Sequence, residues 1–313
     1  MNAANAAGAG SSKPLKKLDD LLDSTLMAKL DAIDVVSRKI FSGKLQGERR
    51  SKRRGQSIEF ADYRPYVHGD DLRFVDWNIF GRLDKLFLKM FLEEEDLSLV
   101  IALDTSASMR AGNPDAFDYA RRVAMALAYV GLTNQHRVSL VGFSQGRIDR
   151  ASNLRGRRKA ADVAQWLLAR EPEGASGFED AMRLVGTTRL GRGIMVVLSD
   201  FLFHEGFEKG LGMVAGRGFD LYALQVLAPQ VADPAREGGV SGDLVLVDSE
   251  TEAETEVTVT PELLRIYRER LDRLCGALRG YCTRRDIVHM VVETSTPVDT
   301  LMLEYLRRRG LLR

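Results

Sequence analysis

The sequence predicts an α/β fold, in which helices cover both faces of a doubly wound, mostly parallel sheet. Short apolar runs, the clearest at residues 97–103 and 194–198, have the length and composition of buried strands. Stretches of helical length separate these runs. Strands that alternate with helices in this way are typical of a parallel sheet covered on both faces. The 313 residues suffice for one large or two ordinary domains with a sizeable core.

The sequence predicts the following strands and helices between residues 97 and 306. Strands are expected at residues 97–103, 138–143, 194–198, 219–227 and 286–293, with an edge strand at 147–154 and a hairpin of 244–248 with 255–259. Helices are expected at residues 115–132, 157–170, 178–188, 205–217 and 262–279, and a final helix ends at residue 306.

The whole chain divides by pattern into five segments. Residues 1–12 read as a disordered tail, and residues 13–43 carry apolar side chains three to four apart, which predicts an N-terminal helix. Residues 44–96 mix aromatic and charged side chains and predict a small subdomain whose charges pair with one another. The α/β domain is expected over residues 97–293. A capping-box pattern with proline at the first helical position predicts a C-terminal helix within residues 294–313.

Composition and charge exclude several classes of protein. Apolar residues make up 45% and charged residues 28%, as in ordinary globular proteins, and the net charge of +1 gives no overall attraction to DNA or an anionic membrane. No apolar run approaches the length needed to cross a bilayer, and residues 1–12 do not resemble a secretory signal. We therefore expect a cytoplasmic protein. The two cysteines, Cys275 and Cys282, lack zinc-ligand spacing and predict no disulfide framework.

Polar side chains with oxygen atoms follow the predicted strands. Asp104, Ser106 and Ser108 come directly after the first buried strand, Asp200 follows the most apolar strand, and Ser176 lies in a glycine-flanked loop. Ligands of an open parallel sheet gather at the carboxyl ends of its strands. Carboxylates and hydroxyls without His or Cys suit a hard cation such as Mg²⁺.

The charges of these side chains suggest what such a site does. Asp104 and Asp200 together neutralise a divalent cation, and the serines add no charge, so the metal stays electrophilic. Its natural missing ligand is a Glu or Asp of another protein. The alternative is that Asp104 and the serines only cap a helix and close a turn.

These residues resemble the site of a known family. The segment Asp104-Thr105-Ser106-Ala107-Ser108 resembles the Asp-x-Ser-x-Ser element of von Willebrand factor type A domains, whose metal-ion-dependent adhesion site binds Mg²⁺. Gly174-Ala175-Ser176 is similar to the second loop of that site, with Ser176 in place of the usual Thr, and Asp200 matches the Asp of the third loop. The resemblance implies a Rossmann-like von Willebrand type A fold and a site for Mg²⁺ or Mn²⁺.

A second resemblance extends upstream and covers the chain from about residue 43 to its end. It is to the bacterial "domain of unknown function 58" family, which carries a von Willebrand type A-like domain. The motifs concerned are Glu59-Phe60, Arg64-Pro65-Tyr66, Gly69-Asp70-Asp71, Arg73, Asp76-Trp77, Lys89, Phe91 and Leu306-Arg307-Arg308-Arg309-Gly310. We expect Asp70 and Asp71 to pair with Arg64, Arg73 or Arg82 and not to form a second ligand cluster.

Members of this family are typically encoded beside MoxR-type AAA+ ATPases. The resemblance therefore implies a partner role in ATPase-driven protein maturation, metal or cofactor insertion, or complex remodelling. Many members carry two N-terminal membrane helices; this sequence shows none, and no membrane partner is expected. The function expected is a non-enzymatic, Mg²⁺-dependent protein-interaction module whose metal binds a Glu or Asp of the ATPase or its client.

Two other functions remain open on the sequence. The first is a metal-dependent hydrolase or phosphatase with Asp104 as nucleophile, although such enzymes normally place a second acid where this chain has Ser106. Neither Ser106 nor Ser108 sits in a Gly-x-Ser-x-Gly elbow, and no phosphate-binding Gly-x-x-x-x-Gly-Lys-Ser/Thr loop is present. The second is nucleic-acid binding through a basic run at residues 49–54, formed by Arg49, Arg50, Lys52, Arg53 and Arg54.

Overall fold

The computed structural model describes residues 15–37, 60–91, 97–188, 193–203, 205–217, 219–236, 242–247 and 254–313. The chain forms two compact units, one of residues 47–96 and the other of residues 1–46 together with 97–313. The predicted tail at residues 1–12 and the basic run at residues 49–54 lie outside the described residues.

The N-terminal segment contains two short helices, α1 (Leu18–Leu21) and α2 (Ser24–Leu30). Asp23 begins the second helix by accepting a hydrogen bond from a backbone N–H three residues on. The prediction of one helix over residues 13–43 is therefore wrong where the structure describes it. Residues 31–37 are not helical, because Val35 forms an antiparallel bridge with Leu312. Pairing with the far end of the chain overrides the local helical spacing.

The unit of residues 47–96 contains an antiparallel pair of strands, β1 (Phe60–Pro65) and β2 (Phe87–Phe91), and helix α3 (Trp77–Leu83). Asp76 caps α3, and its carboxylate also accepts a hydrogen bond from the Tyr63 hydroxyl at 3.0 Å. The charge of Asp76 therefore stabilises the local structure of this unit.

The two acidic residues of the Gly-Asp-Asp motif are ion-paired. The Asp70 carboxylate lies 2.8 Å from the Arg64 guanidinium, and the Asp71 carboxylate lies 2.6 Å from that of Arg73. The predicted pairing of these carboxylates is confirmed.

A six-stranded sheet forms the centre of the larger unit. Its strands are β3 (Ser98–Asp104), β4 (Arg137–Ser144), β5 (Arg147–Leu154), β6 (Gly193–Ser199), β7 (Phe219–Leu227) and, last in the chain, β10 (Val288–Glu293). Their spatial order is β10-β7-β6-β3-β4-β5, and every neighbouring pair is parallel except the hairpin of β4 and β5. A separate hairpin consists of β8 (Gly242–Val247) and β9 (Glu254–Val259).

Helices cover both faces of this sheet. The remaining helices of this unit are α4 (Ala116–Thr133), α5 (Ala160–Leu168), α6 (Phe178–Thr187), α7 (Glu208–Ala215), α8 (Pro229–Ala232), α9 (Pro261–Arg284), α10 (Val298–Thr300) and α11 (Leu306–Arg308), with 3₁₀ turns at Ala107–Arg110 and Arg157–Lys159 and a π-helical turn at Leu301–Tyr305. The predicted C-terminal helix is thus divided by the π-helical turn.

Alternate residues of β3 pack into two separate cores. Leu99 and Ile101 belong to one core, which includes most of α4, whereas Val100 and Ala102 belong to the other, which includes residues of α6 and α7. The predicted doubly wound α/β fold with a mostly parallel sheet is confirmed. None of the described helices combines the length and the apolar character that a bilayer-spanning segment requires.

Candidate functional site

The candidate site lies at the carboxyl edge of the sheet, where the strand order changes direction. The chain places β4 on one side of β3 and β6 on the other, so the loops after β3 and β6 leave in different directions. This is the switch point at which open α/β sheets bind ligands. Leu103 pairs with Leu198 in parallel register, which brings the residues that follow, Asp104 and Ser199, to the same edge.

Both oxygens of Asp104 are held by hydrogen bonds. Its Oδ1 accepts the backbone N–H of Ser106 at 2.9 Å and the Ser106 hydroxyl at 2.6 Å, and its Oδ2 accepts the Ser199 hydroxyl at 2.6 Å. The side chain is fully buried, with 0% exposure. Asp104 therefore has a fixed position and aligns the serine that follows it.

The hydroxyls of the first loop connect Asp104 to Asp200. The Ser106 and Ser108 oxygens lie 3.1 Å apart, and the Ser108 hydroxyl lies close enough to the Asp200 carboxyl to lower its pKa. Asp200 is 4% exposed, and its Oδ1 accepts the Leu202 N–H at 3.0 Å. Four of the five predicted site residues thus form one continuous polar cluster.

The loop that carries Ser176 is tied to the same cluster through its backbone. The Ala107 N–H donates to the Gly174 carbonyl at 2.8 Å, and the Glu173 N–H donates to the Thr105 carbonyl at 2.9 Å. The Ser176 hydroxyl oxygen is buried and has no hydrogen-bond partner. An unpaired buried hydroxyl is costly, and Ser176 therefore has a free acceptor and donor available to a ligand.

Glycine is required immediately after Ser176. A Cβ atom added at Gly177 would lie 2.5 Å from the backbone carbonyl oxygen of Ser144, at the end of β4. The Gln145 N–H also donates to the Ala175 carbonyl at 2.6 Å. The loop that carries Ser176 therefore packs closely against the end of β4.

Burial makes the two carboxylates unfavourable as a charged pair. Burial, and secondarily the negative charge of Asp200, raise the pKa of Asp104 to about 7, although the hydrogen bonds from Ser106 and Ser199 oppose this change. Burial also raises the pKa of Asp200. A divalent cation between them would offset both effects.

The donor set fits a hard divalent cation. The clustered side chains supply two carboxylates and the hydroxyls of Ser106 and Ser108, which are ligands of the kind that Mg²⁺ takes, whereas no group of three or more His, Cys, Asp or Glu side chains that could hold a metal occurs within the described ranges. The alternative, that Asp104 and the serines only cap a helix and close a turn, holds in part: Oδ1 of Asp104 accepts the Ser106 N–H two residues on and closes a turn, but helix capping does not account for Ser106. This residue precedes the 3₁₀ turn at Ala107–Arg110, but its hydroxyl donates to Asp104 and makes no capping bond.

Two supporting residues are absent from the set predicted from sequence. Ser199 fixes the second oxygen of Asp104, and the buried Gln225 side chain donates from Nε2 to the Asp200 carbonyl at 2.9 Å. Both are polar residues inside or at the end of otherwise apolar strands. That exception to the apolar pattern is the signal by which they could have been found.

The sequence is similar to that of one described family. The sequence model of "Protein of unknown function DUF58" matches residues 62–273, which is more than half of the chain. The uncharacterized protein Rv1480 of Mycobacterium tuberculosis is 25% identical over 305 residues, covering 94% of this chain and 93% of that protein.

Solved structures similar to this chain include a VWA domain and a bacterial adhesin. The SpRpn10 VWA domain is 8% identical with a TM-score of 0.38, over 66% of this chain and 93% of that one. The pilus adhesin SpaC of Lactobacillus rhamnosus GG is 10% identical with a TM-score of 0.43, over 69% of this chain and 30% of that one. Both scores are too low to bear on the function of the site.

Proposed function

The chain belongs to the DUF58 family of proteins of unknown function, and from the geometry of its site we propose that it is a non-enzymatic, Mg²⁺-dependent module that binds an acidic side chain of a partner protein. The observation that carries this proposal is a pair of buried carboxylates, Asp104 and Asp200, joined through the hydroxyls of Ser106 and Ser108; the loop that carries the unpaired Ser176 hydroxyl is tied to the loop of these serines through its backbone.

Each residue of the site has a distinct role in this proposal. Ser106, Ser108 and Ser176 offer hydroxyl ligands, while Asp104 and Asp200 bind the cation directly or through water and hold the serines in place. Mg²⁺, or Mn²⁺ in its place, supplies an open coordination position for an anionic oxygen from outside. Because the two carboxylates only neutralise the cation, a further carboxylate from a partner is attracted to that position.

The hydrogen bonds of Asp104 favour binding over catalysis. Ser106 and Ser199 engage both oxygens of Asp104, which leaves neither oxygen aimed at a substrate as a nucleophile and suits contact with the cation through water better than direct ligation. The position two residues on, where a phosphatase of this kind has its second acid, is a serine. These features support a recognition site and disfavour the hydrolase.

The partner that we propose is a MoxR-type AAA+ ATPase or the client of that ATPase. This part of the proposal rests on the family, whose members are typically encoded beside such ATPases. The role would be in protein maturation or complex remodelling, with the acidic side chain of the partner as the metal ligand.

Affinity purification from the native cell tests the proposal. The full chain is used as bait in Mg²⁺, in EDTA, and as the variant Asp104→Ala, with Asp162→Ala as a matched control because Asp162 is exposed on α5. We expect a set of proteins that is captured by the wild type and by the control in Mg²⁺ and is lost in EDTA and with Asp104→Ala.

Two results would contradict this function. If EDTA leaves capture unchanged, or if folded Asp104→Ala retains it, no metal bridge exists. If the purified protein hydrolyses generic phosphate or acyl esters, and Asp104→Ala abolishes this turnover, the hydrolase is correct.

A further inference from the structure

A small apolar cavity opens directly beside the candidate metal site. Its volume is about 110 Å³, and it lies between the ends of β6 and β7 and the beginning of α4. Ser108 and Asp200 line one end of it, and the side chains around the rest are apolar, among them Ala111, Leu202, Val226 and Val231. Ala111 is exposed, and Leu202 and Val231 are half-buried, so the cavity is open to the surface.

The outer wall of this cavity is fixed by close contacts. Gly112 has a φ of +86°, and a Cβ atom added there would lie 2.0 Å from the Cβ of Ala228, so the loop and the strand end touch. The Gln230 side chain accepts the Asn113 N–H at 3.1 Å and donates to the Asn113 carbonyl at 3.0 Å. The cavity is therefore preformed, which lowers the cost of binding an occupant.

The contents of the cavity follow from its lining. Apart from Ser108 and Asp200 the wall is hydrocarbon and offers water few hydrogen-bond partners, so an apolar group that displaces this water is the favoured occupant. A cavity of about 150 Å³ lined by apolar side chains accommodates a benzene ring. The smaller cavity here suits the branched side chain of Val, Leu or Ile and is too small for a large aromatic side chain.

The two shared residues connect this cavity to the metal site. A carboxylate that reaches a cation held by Ser108 and Asp200 brings the adjoining part of its own chain to the mouth of the cavity. We infer that the acidic residue recognised at this site is flanked in the partner by a branched aliphatic residue, which fills the cavity. This inference rests on the proposed function and adds sequence specificity to it.

The expected preference can be expressed as a ratio of affinities. Each buried methylene group is worth about fourfold in affinity. A Leu presents three more carbons than an Ala, and the cavity is partly open, so we expect about tenfold tighter binding for Leu than for Ala beside the acid.

An array of immobilised peptides provides the test. Each peptide carries one Glu or Asp in a glycine background, with the residue on either side varied among Ala, Val, Leu, Phe and Lys, and the labelled full chain is applied in Mg²⁺ or EDTA. We expect Mg²⁺-dependent binding that is about tenfold stronger for Leu than for Ala on one side of the acid, with Val between the two.

Variants of the cavity separate this inference from the proposed function. Ala111→Phe fills the cavity from its exposed rim and should abolish the aliphatic preference while leaving Mg²⁺-dependent binding of the Ala peptides. Ala235→Phe makes the same change at an exposed position outside the cavity and should leave the preference intact. Leu202→Ala enlarges the cavity and should shift the preference toward Phe.

The outcomes are distinguishable. If Mg²⁺-dependent binding occurs but is equal for Ala, Val and Leu neighbours, the cavity does not select the partner and the inference is wrong, whereas the metal bridge stands. If no acidic peptide binds in a Mg²⁺-dependent manner, the proposed function fails as well.

Discussion

Replacing Asp200 by Asn changes the charge of the candidate site while keeping its shape. The Asn side chain retains an oxygen for the Leu202 N–H, which Asp200 accepts at 3.0 Å. It removes one of two buried carboxylates, so the charge of Asp104 no longer faces a second one. We expect Asp200→Asn to stabilise the metal-free protein and to abolish its stabilisation by Mg²⁺.

The magnitude of the stabilisation expected for metal-free Asp200→Asn follows from the pKa of Asp104, which rises from 3.8 to about 7 on folding. Such a group contributes fully to stability below its unfolded pKa, and the contribution is lost as the pH rises through the folded pKa. Above that pH the loss corresponds to roughly 4 kcal/mol. Burial is the larger cause, so removing the Asp200 charge is expected to restore about 1–2 kcal/mol, or about 2–4 °C in Tm.

Thermal unfolding of the full chain at about pH 8, in EDTA and in excess Mg²⁺, measures both effects. The wild type should gain about 2.7 kcal/mol, or about 5 °C, at Mg²⁺ one hundred times above the Kd. The variant should be more stable than the wild type in EDTA and unresponsive to Mg²⁺. Asp162→Asn, at an exposed position, should behave as the wild type. An Asp200→Asn protein that is less stable in EDTA, or that keeps the full Mg²⁺ response, would refute the reasoning.

Three further changes test separate parts of the structure. Ser176→Ala removes a buried hydroxyl without a partner, so the metal-free protein should become more stable by about 1–3 kcal/mol while the Mg²⁺-induced rise in Tm falls by half or more; an unchanged Mg²⁺ response would exclude Ser176 as a ligand. Gly177→Ala forces a Cβ against the Ser144 carbonyl and should cost about 1–3 kcal/mol in urea unfolding, whereas Gly216→Ala, with open space around it, should cost less than about 1 kcal/mol. Burial lowers the pKa of His289 from 6.5 to about 4, so the stability that it contributes above pH 6.5 is lost as the pH falls toward 4. His289→Gln should reduce that loss by roughly 1–2 kcal/mol when urea unfolding is compared at the two ends of this range, and an equal loss in both proteins would contradict this assignment.

The central sheet could be predicted because its strands are buried on both faces. β3 and β6 have every residue buried, so they read as uninterrupted apolar runs, and the sequence also places a turn or loop after each. The predicted helix over residues 13–43 failed for a different reason. The backbone N–H of Val36 donates to the carbonyl of Leu311 at 2.9 Å, and no local periodicity carries information about a partner so distant in the chain.

The sequence predicts those parts of the candidate site whose residues are brought together by the order of the strands alone. Asp104 and Asp200 follow neighbouring parallel strands, so their proximity follows from the strand order. The role of Ser199 depends on which way the last side chain of β6 points, and the apolar pattern does not specify that direction at a strand end. The unpaired state of the Ser176 hydroxyl likewise emerges only from three-dimensional contacts.

The use of serines in place of further acids determines what the site can attract. A third carboxylate at position 106 would leave a divalent cation surrounded by an excess of negative charge, and a partner's carboxylate would then be repelled. With Ser106 there, the hydroxyl holds Asp104 and adds no charge. The same residue therefore fixes the geometry of the cluster and preserves the attraction for an external anion. Under the inference drawn above, the apolar cavity beside Ser108 would distinguish one acidic segment from another, because the carboxylate itself is chemically identical in every partner.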